Sequence, residues 1–263
     1  MSSQKRQLSH ISAMHYFKLV FRGGLFLAAA VVYILDCQRS DNPLYDDISR
    51  WPVLFDIIWV VFVVEMILRF FPSRLESMGC QKQFARNYQP VNRPDAKPIL
   101  QSWKATAAVA AAWLALNGAI GVLYFAGIID KGILMLIALA YSVCDMICIL
   151  FFCPFQMWFM KNRCCTTCRI YNWDFAMMFT PLLLIPHLYT WSLLAMSLGI
   201  LARWEITLRL HPERFSETTN ACLSCKNCDE KLCLHKRHIL RLVKQVKHVK
   251  DTVKDTIKEK IKK

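Results

Sequence analysis

Long apolar stretches separated by short polar segments make up most of this chain. Four of them run at about 16–35, 52–71, 105–129 and 132–153. A hydrocarbon core about 30 Å thick needs roughly 20 apolar residues per helix, so each stretch predicts a full membrane span. Hydrophobic residues make up 55% of the 263 residues, which is high for a soluble domain. The expected fold class is all-α, a polytopic transmembrane helix bundle.

A fifth apolar block can be interpreted in two ways. As one helix over 175–202 it would be about 42 Å long and would need strong tilt. Pro181 and the pair Pro186 and His187 interrupt regular hydrogen bonding, which favours a short helical hairpin with legs at 170–188 and 189–208. Each leg is near the lower length limit for spanning. On the hairpin interpretation the bundle occupies 16–208 and has six spans, four full and two short.

The positions of Lys and Arg predict the orientation, because basic residues near helix ends are retained in the cytosol. The N-terminal arm (1–15), the segment 73–104 and the segment 154–174 are basic, whereas the loop 36–50 is net negative. The tail 235–263 carries eleven Lys or Arg. We therefore expect an integral, multi-pass protein of the cell membrane with both termini cytosolic.

Two cysteine-rich segments flank the fifth block. A C-x2-C-x2-C-x4-C run lies within 209–234 and a C-C-x2-C knot lies before the block, and together they supply Cys222, Cys225, Cys228, Cys233, Cys164, Cys165 and Cys168. In a reducing cytosol such clusters are more often metal sites than disulfides. The inverted topology would instead favour disulfide-stapled external loops. Cys80, His235 and His238 are possible additional ligands.

The cysteine spacing favours zinc and leaves iron–sulfur open. Tetrahedral zinc sites are commonly built from two C-x2-C pairs, and Cys165 with Cys168 and Cys225 with Cys228 supply two. The run also resembles ferredoxin-type spacing, but there the fourth cysteine follows after three residues and precedes proline, whereas here the gap is four and Leu234 follows. A structural zinc ion is therefore the expected cofactor, with an iron–sulfur cluster as the alternative and reactive thiols or a soft metal such as copper as a third.

Charged residues inside the apolar stretches are functional candidates because they are costly in a bilayer. Asp145 in the fourth stretch predicts either a proton or cation path or a polar contact with Asn117 of the third. Glu65 and Arg69 are four residues apart and predict an ion pair on one helix face. Small residues on the third stretch predict close packing within the bundle, with a dimerisation face as the alternative; they are Ala108, Ala111, Ala112, Ala115, Gly118 and Gly121.

The tail 235–263 is predicted to form a basic amphipathic helix. Its apolar residues recur at intervals of three and four on a lysine-rich background. Such a helix after a membrane bundle is expected to lie on anionic inner-leaflet lipids, with coiled-coil pairing as the alternative. Nucleic-acid binding is disfavoured because the basic run lacks interleaved aromatic residues and a folded module.

The sequence predicts the architecture of the protein better than its function. The sequence contains no phosphate-binding glycine motif, nucleophile elbow or H-E-x-x-H, and no catalytic residue is predicted. Three hypotheses follow: a scaffold or regulatory protein with metal-fixed cytosolic loops, a membrane redox protein carrying an iron–sulfur centre, and a small transporter or channel using Asp145. The protein partner and the substrate are not predicted.

Overall fold

The structure is a computed structural model that describes residues 10–39, 52–72, 81–92, 95–162 and 164–227. These residues form an all-helical fold, in agreement with the predicted class, and their one β-pairing is the isolated bridge between Pro90 and Asn220. The α-helices are α1 (His10–Arg39), α2 (Pro52–Phe70), α3 (Trp103–Phe125), α4 (Lys131–Leu150), α5 (Asp174–Phe179) and α6 (Leu188–Leu210). A π-turn (Phe155–Phe159) follows α4, and 3₁₀ turns at Arg169–Trp173 and Thr180–Leu184 flank α5.

Three helical segments are long and apolar enough to cross a membrane. They are Ala13–Leu35 within α1, Trp103–Phe125 and Lys131–Leu150. Helices α2 and α6 are also long, with 19 and 23 residues, but each carries three charged residues. Three such helices indicate a membrane protein.

Helix α4 occupies the centre of the bundle. It packs along α1 and against α5 and the turn Thr180–Leu184, while α2 packs against α6. Helices α1 and α4 are antiparallel, because Tyr33 contacts the start of α4 and the Tyr16 ring lies 6.1 Å from that of Phe151 just beyond its end. In the most apolar window of α4, 39% of the residues are buried, against 6% for α1 and α3. The exposed outer faces of α1 and α3 are therefore available to contact lipid.

Local sequence explains where α4 begins and ends. The Asp130 carboxylate accepts a hydrogen bond from the Ile133 amide at 2.8 Å, which caps the helix N-terminus. The helix ends at Leu150, and Pro154 opens the π-turn that follows. Cys153 therefore lies beyond the helix rather than within a span extending to residue 153, and the chain turns back at this point.

The fifth apolar block is interrupted at residues 185–187, where Pro186 lacks an amide hydrogen. The break is stabilised locally. The Thr190 hydroxyl donates to the Ile185 carbonyl at 2.6 Å, and His187 Nδ1 accepts from the Tyr189 amide at 3.3 Å. The first leg is a mixture of 3₁₀ and α turns, whereas the second leg is the continuous α6.

The ends of the elements gather into one polar end, which comprises residues 81–92, 95–102, 160–162, 164–173 and 211–227. Gln81 bonds to the Phe71 carbonyl after α2, Gln101 to the Thr167 carbonyl, and Arg169 to Glu205 of α6. The start of α4 and the break at residues 185–187 lie at the opposite end. The described elements therefore alternate in direction through the bundle.

The small-residue stripe of α3 departs from its predicted role. Ala108, Ala111, Ala115 and Gly118 are exposed, and a Cβ at Gly118 would have no heavy atom within 4 Å. Of the two glycines, Gly121 is close to another element, with the Leu184 side chain 3.7 Å from its Cβ position. The prediction that the stripe packs within the bundle is wrong for the four exposed residues, because the bundle contacts other faces of α3.

Several predicted features lie outside the described residues. They are the N-terminal arm up to residue 9, Cys80, Cys228, Cys233, His235, His238 and the predicted amphipathic helix 235–263. The side chain of Cys225 also falls outside the description.

Gly132 marks the closest approach of α1 and α4, and its replacement by Ala should destabilise the bundle. A Cβ at this position would lie 2.5 Å from the Tyr33 ring, whose hydroxyl donates to Asp130 at 2.7 Å. We expect Gly132→Ala to cost about 1–3 kcal/mol, measured by thermal unfolding in detergent. Gly118→Ala is the matched control, because its Cβ enters open space and alanine favours the helix by about 1 kcal/mol. Equal stability of both variants would contradict the close approach.

Candidate functional site

A charge network crosses the buried interface of three helices. The Arg22 guanidinium of α1 donates to Glu65 Oε2 of α2 at 2.5 Å and to Asp145 Oδ2 of α4 at 3.2 Å. It also donates to the Ser142 carbonyl at 3.1 Å. Lys18, one turn before Arg22, contacts Glu65 at 3.5 Å. Arg22 is only 3% exposed, so these ion pairs lie within the bundle.

A second ion pair joins α2 to α5. Arg69 Nη2 donates to Asp174 Oδ2 at 2.5 Å, and both side chains are buried. The guanidinium also lies over the Phe175 ring at 5.0 Å and the Tyr171 ring at 5.7 Å. Aromatic faces stabilise a cation by their negative potential, so this arginine has both a carboxylate and a π-face as partners.

In the structure these charged residues contact other partners than the predicted ones. Asn117 donates to the Trp113 carbonyl of its own helix at 3.0 Å, and its Oδ1 is buried without a partner among the described residues. The predicted contact between Asp145 and Asn117 is therefore wrong, because the neighbour of this face of α4 is α1. Glu65 and Arg69, which were predicted to pair along α2, each bind a partner on another helix.

The cysteine loop before α5 is built around a tight turn. The Cys168 amide donates to the Cys165 carbonyl at 3.0 Å, and Asn162 donates to the Cys164 carbonyl at 3.0 Å. The Cys164 thiol contacts the Thr166 hydroxyl at 3.0 Å, whereas the Cys165 thiol donates to Gln156 Oε1 at 3.1 Å. Burial raises the pKa of the Cys168 thiol to about 12. A thiol with this pKa is protonated at neutral pH and is a poor nucleophile.

The two cysteine segments lie at the same end of the bundle because both contact one stretch, residues 81–92, which we call the connector. Gln83 Nε2 donates to the Thr166 carbonyl at 3.1 Å in the first loop, and its Oε1 accepts from Asn172 at 2.8 Å. On the other side, the Asn220 amide group donates to the Lys82 carbonyl at 3.0 Å and the Cys222 thiol to the Asn87 carbonyl at 3.2 Å.

The predicted metal ligands are only partly described. Among residues 10–39, 52–72, 81–92, 95–162 and 164–227, no three His, Cys, Asp or Glu side chains are grouped closely enough to hold a metal ion. Cys165 and Cys168 face the bundle, whereas Cys164 bonds within its loop and Cys222 lies against the connector. The rest of the cysteine run lies beyond these residues, so the set is not tested as a whole.

A cavity of about 130 Å³ connects the charge network to the first cysteine loop. Asp145 and Asp174 lie on its wall, together with the aromatic side chains of Trp113, Tyr141 and Phe155. Five cysteines also line it; they are Cys144, Cys148, Cys153, Cys165 and Cys168. The cavity thus brings three cysteines near the end of α4 together with two predicted ligands from the loop.

Sequence reasoning missed both Arg22 and the cavity. No role was predicted for Arg22, although its spacing of four from Lys18 places both cations on one face of α1. Such a cationic face inside an apolar helix is the signal that could have identified the partner of Asp145. The cavity depends on the turn after Leu150, and only Pro154 marked that turn in the sequence.

No protein-family model, curated protein or solved structure matches this chain.

Removal of Arg22 should destabilise the bundle more than removal of any exposed cation. Arg22→Met leaves Glu65 and Asp145 without their main counter-charge, and breaking a buried ion pair typically costs about 3–5 kcal/mol. The loss is measured as a shift of the unfolding midpoint in detergent. The triple variant Arg22→Met, Glu65→Gln, Asp145→Asn should recover most of it, because the buried charges then disappear together.

Arg209→Met is the matched control for this substitution. Arg209 is exposed near the end of α6, so its replacement should change stability by no more than about 0.5 kcal/mol. Equal midpoints for Arg22→Met and Arg209→Met would show that the network contributes nothing to stability.

Proposed function

We propose that this chain is a six-span membrane protein that acts as a scaffold or regulatory subunit, and that a structural zinc ion fixes its cytosolic cysteine loops. The connector is the single observation that carries this proposal. It hydrogen-bonds to the loop containing Cys164 and to the segment containing Cys222, so both emerge at the polar end. Cysteine segments on one side of a bilayer can share a metal ion, whereas segments on opposite sides cannot.

The distribution of charge supports the proposed orientation. Basic residues of the polar end include Lys82, Arg86, Lys97, Lys161 and Arg214, and such residues are retained in the cytosol. With α1, α2, α3, α4, the first leg of the fifth block and α6 as the six spans, both termini are cytosolic. The basic segment 235–263 then faces the anionic inner leaflet of the cell membrane, where each basic residue contributes on the order of 1 kcal/mol.

The ligand chemistry supports zinc. Thiolates in paired C-x2-C spacing suit a tetrahedral site, and the described pair Cys165 and Cys168 is already held in a tight turn by the hydrogen bond between its backbone groups. A second pair, Cys225 and Cys228, would complete the set. A zinc site of this kind contributes folding energy to loops that have no hydrophobic core of their own.

The ion pair between Asp145 and Arg22 fits a structural role better than a role in transport. Asp145, the residue proposed for a transport path, already accepts a hydrogen bond from Arg22. A carboxylate held by a buried guanidinium joins two helices, and its release for a moving cation would require breaking that pair. Loops fixed by metal at the polar end would then offer a rigid surface to a partner protein.

The topology can be tested with reporters that are active only in the cytosol. A reporter fused after Lys263 should be active, and one inserted in the loop 41–47 should be silent, because the positive-inside rule places these sites on opposite sides. The measurement is reporter activity in whole cells, normalised to the amount of fusion protein. Activity in the loop and silence at the tail would invert the orientation and favour disulfide-linked loops.

Metal content should depend on both cysteine pairs. We expect purified full-length protein to be colourless and to contain zinc by elemental analysis. Cys225→Ser with Cys228→Ser and, separately, Cys165→Ser with Cys168→Ser should each remove most of the zinc, because a hydroxyl is a poor substitute for a thiolate. The matched control is Cys37→Ser, whose thiol lies near the opposite end of α1 and should not affect metal content.

The outcomes of this experiment separate the alternatives. Brown protein containing iron and acid-labile sulfide, purified anaerobically, would replace zinc by an iron–sulfur centre. If only the Cys225 and Cys228 variant loses zinc, the ligands all belong to the C-x2-C-x2-C-x4-C run. Unchanged metal content in both double variants would overturn the proposal.

A further inference from the structure

The cavity beside Asp145 has the size and the walls of a binding site for a single ring. Its volume of about 130 Å³ is close to that of a dry engineered protein cavity of about 150 Å³ that holds benzene. Four aromatic side chains line it, and they are those of Trp113, Tyr141, Phe155 and Tyr171. The proposed function assigns no occupant to this cavity.

The aromatic part of the wall is fixed by its own contacts. The Trp113 ring lies 4.7 Å from the Tyr141 ring and 6.1 Å from the Phe155 ring. The Trp113 indole also donates to the Thr180 hydroxyl at 3.2 Å, which sets the orientation of its ring. Aromatic rings prefer offset or edge-to-face neighbours at centroid distances of about 4.5–7 Å. A planar ring in the cavity can therefore pack in the same way against side chains that are already in place.

Sulfur-containing side chains form much of the remaining wall. Met177 and Met178 of α5 line the cavity together with its five cysteines. Sulfur makes favourable contacts with the edges of aromatic rings, and such contacts require no ionisation of a thiol. The sulfur atoms and the aromatic side chains thus both favour an aromatic ligand over an aliphatic chain of the same volume.

The cavity opens on the lipid-facing surface of α4. Cys144 lines the cavity and is exposed. Ile147, which lies three residues further along the helix and does not line the cavity, is also exposed, so this side of α4 faces outward. Both residues belong to the apolar span Lys131–Leu150. A ligand therefore reaches the cavity from the membrane and has to be soluble in lipid.

Asp145 offers a hydrogen-bond acceptor on the cavity wall. Its bond to Arg22 uses Oδ2, at 3.2 Å, and Oδ1 accepts no hydrogen bond from the part of the chain that the structure describes. The side chain is 17% exposed, so Oδ1 is open to the cavity that it lines. Asp174, the other carboxylate of the wall, is only 6% exposed and binds Arg69 and the Phe175 amide. Asp145 is therefore the acceptor that a ligand reaches.

The charges of the wall suit a neutral hydrogen-bond donor. Asp145 and Asp174 line the cavity and are each paired with an arginine, whereas Arg22 and Arg69 do not line it. A charged ligand would thus lack a counter-charge of its own, and burying an unpaired charge is costly. The carboxylate ends of both ion pairs lie on the cavity side, which suits the hydrogen of a donor. An O–H group is favoured, because it makes shorter bonds to a carboxylate than an N–H group does.

We propose that this cavity binds a neutral, lipid-soluble phenolic ring whose hydroxyl donates to Asp145 Oδ1. The ring packs among the aromatic and sulfur-containing side chains, and Arg22 holds the carboxylate in place through Oδ2. A small phenol dissolved in the membrane and the head of a phenolic lipid both supply this chemistry. The site does not rest on the proposed zinc centre, because Asp145 and the four aromatic residues belong to no proposed metal site.

Binding is measured by fluorine NMR of para-fluorophenol added to purified full-length protein in detergent. We expect a saturable bound signal that micelles without protein do not give. Para-cresol should displace the probe. Para-xylene, in which a methyl group replaces the hydroxyl, should be about 10–100-fold weaker at equal concentration in the micelle, because it leaves the charged acceptor without its hydrogen bond. Equal displacement by both compounds, or no saturable signal, would overturn the proposal, and this experiment needs no variant.

Two pairs of variants locate the site. Cys148→Phe fills the cavity and should abolish binding, whereas Ile147→Phe, on the exposed side of the same helix, should leave it unchanged. Asp145→Asn should weaken binding about tenfold, because a neutral acceptor makes a weaker bond than a carboxylate. Glu65→Gln also removes a partner of Arg22 but lies outside the cavity wall, so it should keep the wild-type affinity. Equal affinities within either pair would overturn the proposal.

A last comparison identifies the source of the ring and separates this site from the zinc centre. Displacement by a phenol with a long para-alkyl chain, as strong as that by para-cresol, would support a phenolic lipid, whereas displacement by para-cresol alone would support a small phenol. Cys225→Ser with Cys228→Ser should bind para-fluorophenol as the wild type does. Loss of zinc and loss of the phenol site are therefore separate results.

Discussion

The ion pairs of Arg22 are the interaction on which the rest of the bundle depends. A single guanidinium joins α1 to α2 through Glu65 and to α4 through Asp145. Apolar helices in lipid gain little from burying apolar surface against one another, so polar contacts and close packing decide which helices are neighbours. An unpaired charge inside such a bundle is costly, and this cost disfavours arrangements in which α1 is not beside α4.

The polar end depends on a different kind of contact. The connector packs Phe84 against the Trp204 ring in the core, and its side-chain and backbone groups bond to the Cys164 loop on one side and to the segment after α6 on the other. A stretch that satisfies its hydrogen bonds in this way also holds two distant parts of the chain together. The bundle thus has ion pairs between its helices and a hydrogen-bonded layer at one end.

Sequence patterns predicted the secondary-structure elements better than they predicted which elements pack against each other. Apolar length and proline positions predicted the all-helical class and an interruption near Pro186, because both depend on local chemistry. The partner of Asp145 was predicted wrongly, since sequence order suggested α3 whereas the structure places α1 beside that face. The packing prediction for the small residues of α3 was wrong for the same reason. Small residues permit close approach but do not specify which helix, if any, approaches.

The loop containing Cys165 and Cys168 links the polar end to the interior. It contributes both thiols to the cavity wall, while the carbonyl of Thr166, between them, accepts from Gln83 of the connector. A change in the conformation of this short turn therefore moves a wall of the cavity and a contact of the connector together. Binding at one place that alters this turn must alter affinity at the other by the same factor, because coupling between two binding equilibria is reciprocal.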